Sequence, residues 1–430
     1  MRIETRLLWG RLFTRAGDQA WDFALPLTLL ALWPGRLDLA SLFYLGVKAL
    51  SLLLTPRIAG LIDTRSRRWV TRWGLGLQFL GVLGSLVGLT LIGDPRGDLE
   101  FFFFFAALTC AGVLGSLGAI LMDIAIAADL APSLFVGDAL TRFNSRFRQV
   151  DLATEVGAPV AAGLLIVAFT SPLYGFAAVA AWNMISFLPE WLILDSVFRD
   201  RPELSRANVQ ISTETRLGFA ARVRAGYALF RTQRVAPVMI AYSLLWVSAL
   251  SPHGVLLTGF LKDAWQLPEW QIGLFRGAGA FFGLAATFLF PLAYRRFGLT
   301  RAAGIFLGFQ TITVVGAGLA FARAEFFALT SFTTFAFLGA VLFSRIGLYG
   351  FMLGETQLRQ ESIAAGERGR VNGFASVLNN AMTFVLLGLA SLLPQTGDFK
   401  WLILLSVGAV LLAFLIYLGA SARGKALESA

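Results

Sequence analysis

Long apolar runs dominate this sequence, and they decide which solvent the folded chain faces. The stretches 71–91 and 101–122 carry few or no charged residues. Roughly 20 such residues in a helix span a hydrocarbon core about 30 Å thick. Of the 430 residues, 57% are hydrophobic and 14% are charged, whereas a soluble domain is roughly 25% charged. The sequence therefore predicts an all-α polytopic membrane protein.

Twelve apolar segments can be counted, and a long polar stretch divides them into six and six. They cover 8–33, 40–61, 70–93, 100–128, 139–169, 173–197, 222–262, 270–293, 300–322, 326–358, 369–393 and 399–420. The polar stretch 198–221 separates an N-lobe, 1–197, from a C-lobe, 222–430, and it reads as a linker with an amphipathic helix near its end. Twelve helices in two six-helix lobes are the layout of the major facilitator superfamily, whose substrate sites lie near the bilayer midplane.

Arginine is distributed unevenly between the loops. Loops on one side carry clusters of it, at 65–68, 142–148, 295–301 and 359–370, whereas each loop on the other side carries at most one basic residue. The positive-inside rule then places both termini and the linker in the cytoplasm, as in an inner-membrane protein. The net charge of +10 is explained by this topology, so nucleic acid is not an expected partner. Residues 1–11 carry several charges and do not resemble a cleavable signal peptide.

Cysteine and histidine are almost absent, which excludes several classes of site. Cys110 and His253 are the only residues of their types. A disulfide within the chain, a cysteine cluster for zinc or iron–sulfur, and a site built on several histidines are therefore excluded. No nucleophile–base pair or dinucleotide-binding loop is visible, so we expect neither an enzyme nor a prosthetic group.

A charged loop between the second and third segments resembles a signature of the major facilitator superfamily. It reads GLIDTRSRR, residues 60–68. Asp63, Arg67 and Arg68 would latch helices together at the cytoplasmic face. The fifth segment begins with a second charged group, Arg146, Arg148 and Asp151. We predict that this group forms an ion-pair latch between the lobes that breaks during transport; a purely structural pair is the alternative.

Polar residues inside the first segment share one helical face. Thr14, Asp18 and Asp22 are spaced i, i+4 and i+8, so they stack along the helix. Gly17 leaves room for another backbone or an ion to approach. Charges inside a membrane are costly and mark functional sites by default.

Two further segments add oxygen-bearing side chains to this group. The third contributes Gln78, and the sixth contributes Asn183, Ser186 and Glu190 on one face. Pro189 removes a backbone hydrogen bond beside them. Together with Thr14 and Asp18, such hard oxygen donors suit a divalent cation. An interhelical hydrogen-bond network that only holds the lobe together remains the alternative.

His253 lies between Pro252 and Gly254 inside the seventh segment. Helix breakers at this position predict an interruption of the helix, where transporter sites tend to form. The histidine is then a metal ligand, a proton carrier or a hydrogen-bonded core residue.

Several stretches resemble the ferroportins, divalent-iron exporters of the major facilitator superfamily, and especially their bacterial members. The most specific are 11–23, 143–159, 181–194, 250–261 and 345–380. The resemblance implies export of Fe²⁺, with Co²⁺, Ni²⁺, Mn²⁺ and Zn²⁺ as additional substrates, by alternating access. It implies a transition-metal site at Thr14, Asp18, Asn183, Ser186 and the backbone around Phe187. It also implies a calcium site at Asp18, Gln78, Asn183 and Glu190.

The second half departs from the vertebrate members of that family. They have a cysteine on helix 7 and a histidine on helix 11, and Leu386 stands at the position aligned with that histidine. His253 is then the candidate for metal binding or proton coupling in the C-lobe, as in the bacterial members. We expect a monomer in the bilayer that binds divalent metal ions. An efflux carrier for small organic solutes or drugs on the same fold is the alternative function.

Overall fold

The computed structural model of the chain is almost entirely helical. It describes residues 2–32, 37–92, 98–205, 219–252, 254–267, 269–327, 329–393 and 396–423. Its α-helices are α1 (Ile3–Leu32), α2 (Leu37–Thr64), α3 (Arg67–Ile92), α4 (Asp98–Asp123), α5 (Ala131–Leu134), α6 (Asp138–Val167), α7 (Pro172–Asp200), α8 (Phe219–Thr232), α9 (Ala236–Leu244), α10 (Val255–Asp263), α11 (Glu269–Phe297), α12 (Leu299–Phe326), α13 (Ser331–Ser362), α14 (Arg368–Ser391) and α15 (Phe399–Arg423). A π-helical segment, Ile124–Leu130, joins α4 to α5.

Among the described residues, ten helical segments are long and apolar enough to cross a membrane. The chain is therefore a multi-pass membrane protein with the predicted all-α fold. Two of the twelve predicted segments are not among these ten, for physical reasons. The first, α1, contains four charged side chains between Arg11 and Asp22. The seventh is interrupted between α9 and α10.

The linker prediction falls largely on residues outside the described ranges. The helix α7 continues to Asp200, a short 3₁₀ turn covers Pro202–Ser205, and α8 begins at Phe219. Residues 206–218 lie outside the described residues. The helix α8 overlaps the predicted linker 198–221 only at residues 219–221, so the amphipathic helix expected near the end of the linker stays a prediction.

The chain divides into two compact units. Unit 1 comprises Met1–Phe135, Gln149–Leu229 and Ala364–Phe374, and unit 2 comprises Val136–Arg148, Phe230–Ile363 and Ala375–Ala430. The helices α6 and α14 thus each contribute residues to both units. The predicted lobes 1–197 and 222–430 follow chain order only and stay a prediction.

Unit 1 is built around α1 packed on α7 and α3 packed on α4. Its apolar core includes Ala20, Leu25, Phe43 and Phe176, each at most 2% exposed. The small Ala20 and Ala24 let α1 pack closely in the core, while the opposite face of the same helix carries the polar residues. Unit 2 packs α13 against α11 and α12, and α15 against α9 and α12.

Candidate metal-binding site

The site predicted in the first half is built where α1 crosses α7 in unit 1. A Cβ atom at Gly17 would lie 2.5 Å from Asn183 Oδ1 and 3.0 Å from Asn183 Cα, and still closer to Ser186 Oγ. Two turns earlier, a Cβ at Gly10 would lie 3.3 Å from Glu190 Cγ. Glycine at these positions therefore lets the backbone of α1 approach the polar face of α7.

Four of the predicted site residues are buried at this crossing. The exposed fractions are 4% for Thr14, 1% for Asn183, 4% for Ser186 and 3% for Glu190. The hydroxyl of Thr14 donates a hydrogen bond to the carboxylate of Glu190, which joins α1 to α7. The sequence pattern predicted one polar face on each of these two helices, and the structure brings the two faces together.

The contacts of Ser186 and Asn183 leave part of their hydrogen-bonding capacity unused. Ser186 donates to the main-chain oxygen of Asn183 at 2.6 Å and lies 3.4 Å from Asn183 Oδ1. The buried Nδ2 of Asn183 has no hydrogen-bond partner among the described residues. Buried polar atoms are nearly always paired, so an unpaired one indicates strain or a role in binding. The neighbouring Phe187 is also buried, at 4%.

Asp18 lies on α1 one turn after Thr14 and is partly buried. Of the described residues, none donates a hydrogen bond to its carboxylate, whereas Glu190 accepts one from Thr14. A carboxylate without donors keeps all its lone pairs for another ligand. Asp18 is therefore the group at this crossing best able to bind a cation.

Gln78 belongs to the same unit but has different neighbours. Its side chain is 3% exposed, packs against Gly118 of α4, and donates a weak 3.5 Å hydrogen bond to the carbonyl of Gly74. Its place in the predicted calcium set stays a prediction.

The described part of the chain contains no group of three or more His, Cys, Asp or Glu residues placed for a metal. The candidate site thus combines carboxylates with neutral oxygens.

Two arginines of α1, on either side of Thr14, lie close to acids of other helices, one of which is the predicted latch residue Asp151. Arg11 is buried and donates to Asp123 at 2.5 Å and to Asp151 at 2.8 Å. Arg15 lies 3.4 Å from the same carboxylate of Asp151. The i, i+4 spacing of the two arginines was visible in the sequence. Their acidic partners are more than 100 residues away, so this signal alone could not have identified them.

Most of the predicted latch residues form ion pairs inside unit 1. Arg67 donates to Asp129 at 2.5 and 3.0 Å, and Arg368 lies 3.6 Å from the same carboxylate. Asp63 accepts hydrogen bonds from the main-chain N–H groups of Gly369 at 2.8 Å and Arg370 at 2.9 Å. The first turn of α14 is therefore bound to α2 by an acid at its positive end.

The other latch residues have separate surroundings. Arg68 donates to Asp195 at 2.7 Å. In unit 2, the guanidinium of Arg148 lies over the ring of Tyr349, 4.7 Å from its centroid. Arg146 is exposed. The prediction that these groups break and form during transport is not tested by these contacts, and His253 lies outside the described residues.

Ten long apolar helical segments among the described residues define the fold class of the chain, that of the major facilitator proteins. The fold is shared with the proton:xylose symporter XylE, a major facilitator protein that is 15% identical, with a TM-score of 0.68 over 96% of this chain and 94% of that one. This likeness shows that the chain has the major facilitator fold.

The sequence profile of the family described as Ferroportin1 (FPN1) matches residues 1–410. The chain thus belongs to the ferroportin family. It is 43% identical to the protein "Ferreportin" of Bdellovibrio bacteriovorus, over 98% of this chain and 96% of that protein. It is also similar to a crystal structure of a bacterial homologue of the iron transporter ferroportin in an outward-facing state with soaked iron. That structure is 42% identical with a TM-score of 0.88, over 98% of this chain and 100% of that one.

Proposed function

We propose that this protein exports a divalent transition metal, with Fe²⁺ as its physiological cargo, by alternating access. The single observation that carries the proposal is Asp18, a carboxylate that accepts no hydrogen bond from the described residues and lies on the polar face of α1. The names of its relatives, an iron transporter among them, support the choice of cargo.

In this proposal the metal is bound by the carboxylate of Asp18 and by the neutral oxygens of Thr14, Asn183 and Ser186. The main chain around Phe187 completes the set. One carboxylate with neutral oxygens binds a divalent ion without full charge compensation, which favours binding weak enough for release. A carrier needs such affinity because each transport cycle ends when the ion leaves.

Five further properties belong to the proposal. The positive-inside distribution of arginine supports an inner-membrane protein with both termini in the cytoplasm, and we propose that it works as a monomer. Protons drive export, with His253 as the carrier or as a second metal ligand. The acids and arginines of the predicted latch open and close the cytoplasmic side. Calcium binds at Asp18, Gln78, Asn183 and Glu190 and competes with the transition metal.

The test is metal uptake into proteoliposomes that contain a dye quenched by divalent cations, at several pH values. Asp18→Ala should abolish quenching by Fe²⁺ and Co²⁺. The matched control is Asp200→Ala, because Asp200 is a half-exposed acid of the same unit, paired only with Arg6 among the described residues. Equal transport by the two variants would refute the assignment. Inhibition by organic cations, without competition by metal ions, would instead support an organic-solute carrier.

Calcium binding has its own test, based on tryptophan fluorescence. Glu190→Gln removes a charge but keeps an acceptor for the Thr14 hydroxyl. We expect it to abolish the fluorescence change caused by Ca²⁺ while Co²⁺ binding remains. Loss of both responses would indicate a single shared site.

A further inference from the structure

The interruption between α9 and α10 in unit 2 leaves main-chain groups without hydrogen bonds inside a helix. The helix α9 ends at Leu244, and the chain continues through tight turns, in which Trp246 N donates to Ser243 O and Gly254 N donates to Ser251 O. In hydrocarbon, every main-chain N–H and C=O group released from a helix must find another partner. The surroundings of this segment, of which residues 245–252 and 254 are described, therefore matter for its stability.

Two side chains from other helices provide partners to the middle of this segment. Ser406 of α15 accepts a hydrogen bond from the N–H of Ala249 at 2.9 Å. Arg345 of α13 donates from Nη2 to the carbonyl oxygen of Leu250, also at 2.9 Å. Both main-chain groups are buried, since Ala249 is 2% exposed and Leu250 is fully buried.

Arg345 is unusual among the buried arginines because it has only neutral partners. It is 6% exposed, and its remaining hydrogen bonds go to Ser344 Oγ at 3.0 and 3.3 Å. By contrast, Arg11 and Arg67 are each paired with a carboxylate. Among the described residues, no acid forms an ion pair with Arg345. An asparagine or glutamine side chain could donate the same hydrogen bond to the Leu250 carbonyl without burying a charge. The hydrogen bond alone therefore does not explain why this position carries an arginine.

The carbonyl that Arg345 binds is of the kind that holds cations in other transporters. Where a membrane helix is broken, the unwound carbonyls and the negative end of the first half-helix coordinate transported or coupling ions. At Leu250 this position is taken by a guanidinium, which is permanently charged. The sequence places His253, the only histidine, three residues further along.

We propose that Arg345 is a tethered cation that occupies the broken helix of unit 2 and lowers the affinity of this segment for divalent metal. Its charge satisfies the main-chain carbonyl of Leu250 when no metal is bound nearby. A metal ion that reaches this segment is repelled by it and leaves quickly. Arg345 is thus a positioning residue that favours release, and this role rests on the proposed transport of divalent cations.

The experiment measures Co²⁺ binding by calorimetry to the full chain that carries Asp18→Ala, so that binding in unit 1 is removed. Arg345→Gln and Arg345→Met both remove the charge. Either should tighten the residual Co²⁺ Kd at least about tenfold. Arg345→Lys keeps the charge and should stay within about threefold of Asp18→Ala alone. Ser406→Ala removes the neutral partner of the same segment and should not change the Kd.

Three outcomes would overturn the inference. They are an unchanged Kd in a folded neutral variant, equal tightening by lysine and glutamine, or unfolding of both neutral variants while the lysine variant folds. In the last case the charge would serve stability alone. Failure of the proposed function is distinct, because the chain with Asp18 intact would then bind no Co²⁺.

Discussion

Gly17→Ala is the most direct test of the crossing between α1 and α7. The added methyl group would lie 2.5 Å from Asn183 Oδ1 and 3.0 Å from Asn183 Cα. Carbon atoms and their neighbours pack best roughly 3.5–4.0 Å apart, so Asn183 or the whole of α1 must move by about 1 Å. Overpacking of this kind costs about 1–3 kcal/mol of stability.

The same displacement should have a larger effect on the metal. Metal–oxygen distances tolerate changes of only about 0.2 Å. The two atoms nearest the new methyl group, Ser186 Oγ and Asn183 Oδ1, are both proposed ligand oxygens. We therefore expect Co²⁺ binding to weaken about 10–100-fold, the range typical when the support of a metal ligand is lost. The protein should remain folded, because alanine favours helix.

The assay is a Co²⁺ titration combined with thermal unfolding in detergent. Gly76→Ala is the matched control, since Gly76 lies in α3 of the same unit and a Cβ there meets nothing within 4 Å. It should bind Co²⁺ like the unmodified protein. Unchanged Co²⁺ affinity in Gly17→Ala would refute the argument that α1 and α7 close around the ion at this residue.

Two other substitutions test the ion pairs of unit 1 by thermal unfolding. Arg67→Ala should destabilise the protein by about 3–5 kcal/mol because it leaves the buried carboxylate of Asp129 without its main partner. The control Arg199→Ala removes a mostly exposed partner of Asp195 and should cost about 0–1 kcal/mol. Equal losses of stability in the two variants would show that burial does not control the strength of these ion pairs. Asp63→Asn keeps one oxygen acceptor for the first turn of α14 but removes the charge, so a loss of about 1 kcal/mol is expected. No change in the Asp63 variant would mean that the charge at this helix end contributes nothing.

The sequence pattern predicted the helices and the polar face well, because both follow from local periodicity. The predicted segments agree with the observed helices to within about five residues, except for the seventh, 222–262, which the structure divides among α8, α9 and α10. Asn183, Ser186 and Glu190 lie on one helix, α7, and are all buried. The grouping of Thr14 with Glu190 followed from the same reasoning, and a hydrogen bond joins them.

Features that depend on partners far away in the chain could not be predicted in this way. The Pro252–His253–Gly254 tripeptide correctly indicated a broken helix, but α9 already ends at Leu244. Two main-chain groups of the break, the N–H of Ala249 and the carbonyl of Leu250, have Ser406 and Arg345 as partners, which local patterns do not reveal. The pairing of Arg11 with Asp123 and Asp151 was missed for the same reason.

The π-helical segment Ile124–Leu130 has a consequence for how relatives of this chain are aligned. A π-helical turn holds one residue more than an α-helical turn, so it behaves like a one-residue insertion within a continuous helix. Shortening the segment by one residue would restore an ordinary α-helical turn and shift the residues within the segment by one position relative to their neighbours. Asp129 would then turn away from Arg67, its partner at 2.5 Å. A one-residue gap in a sequence alignment here would therefore mark the gain or loss of an ion pair.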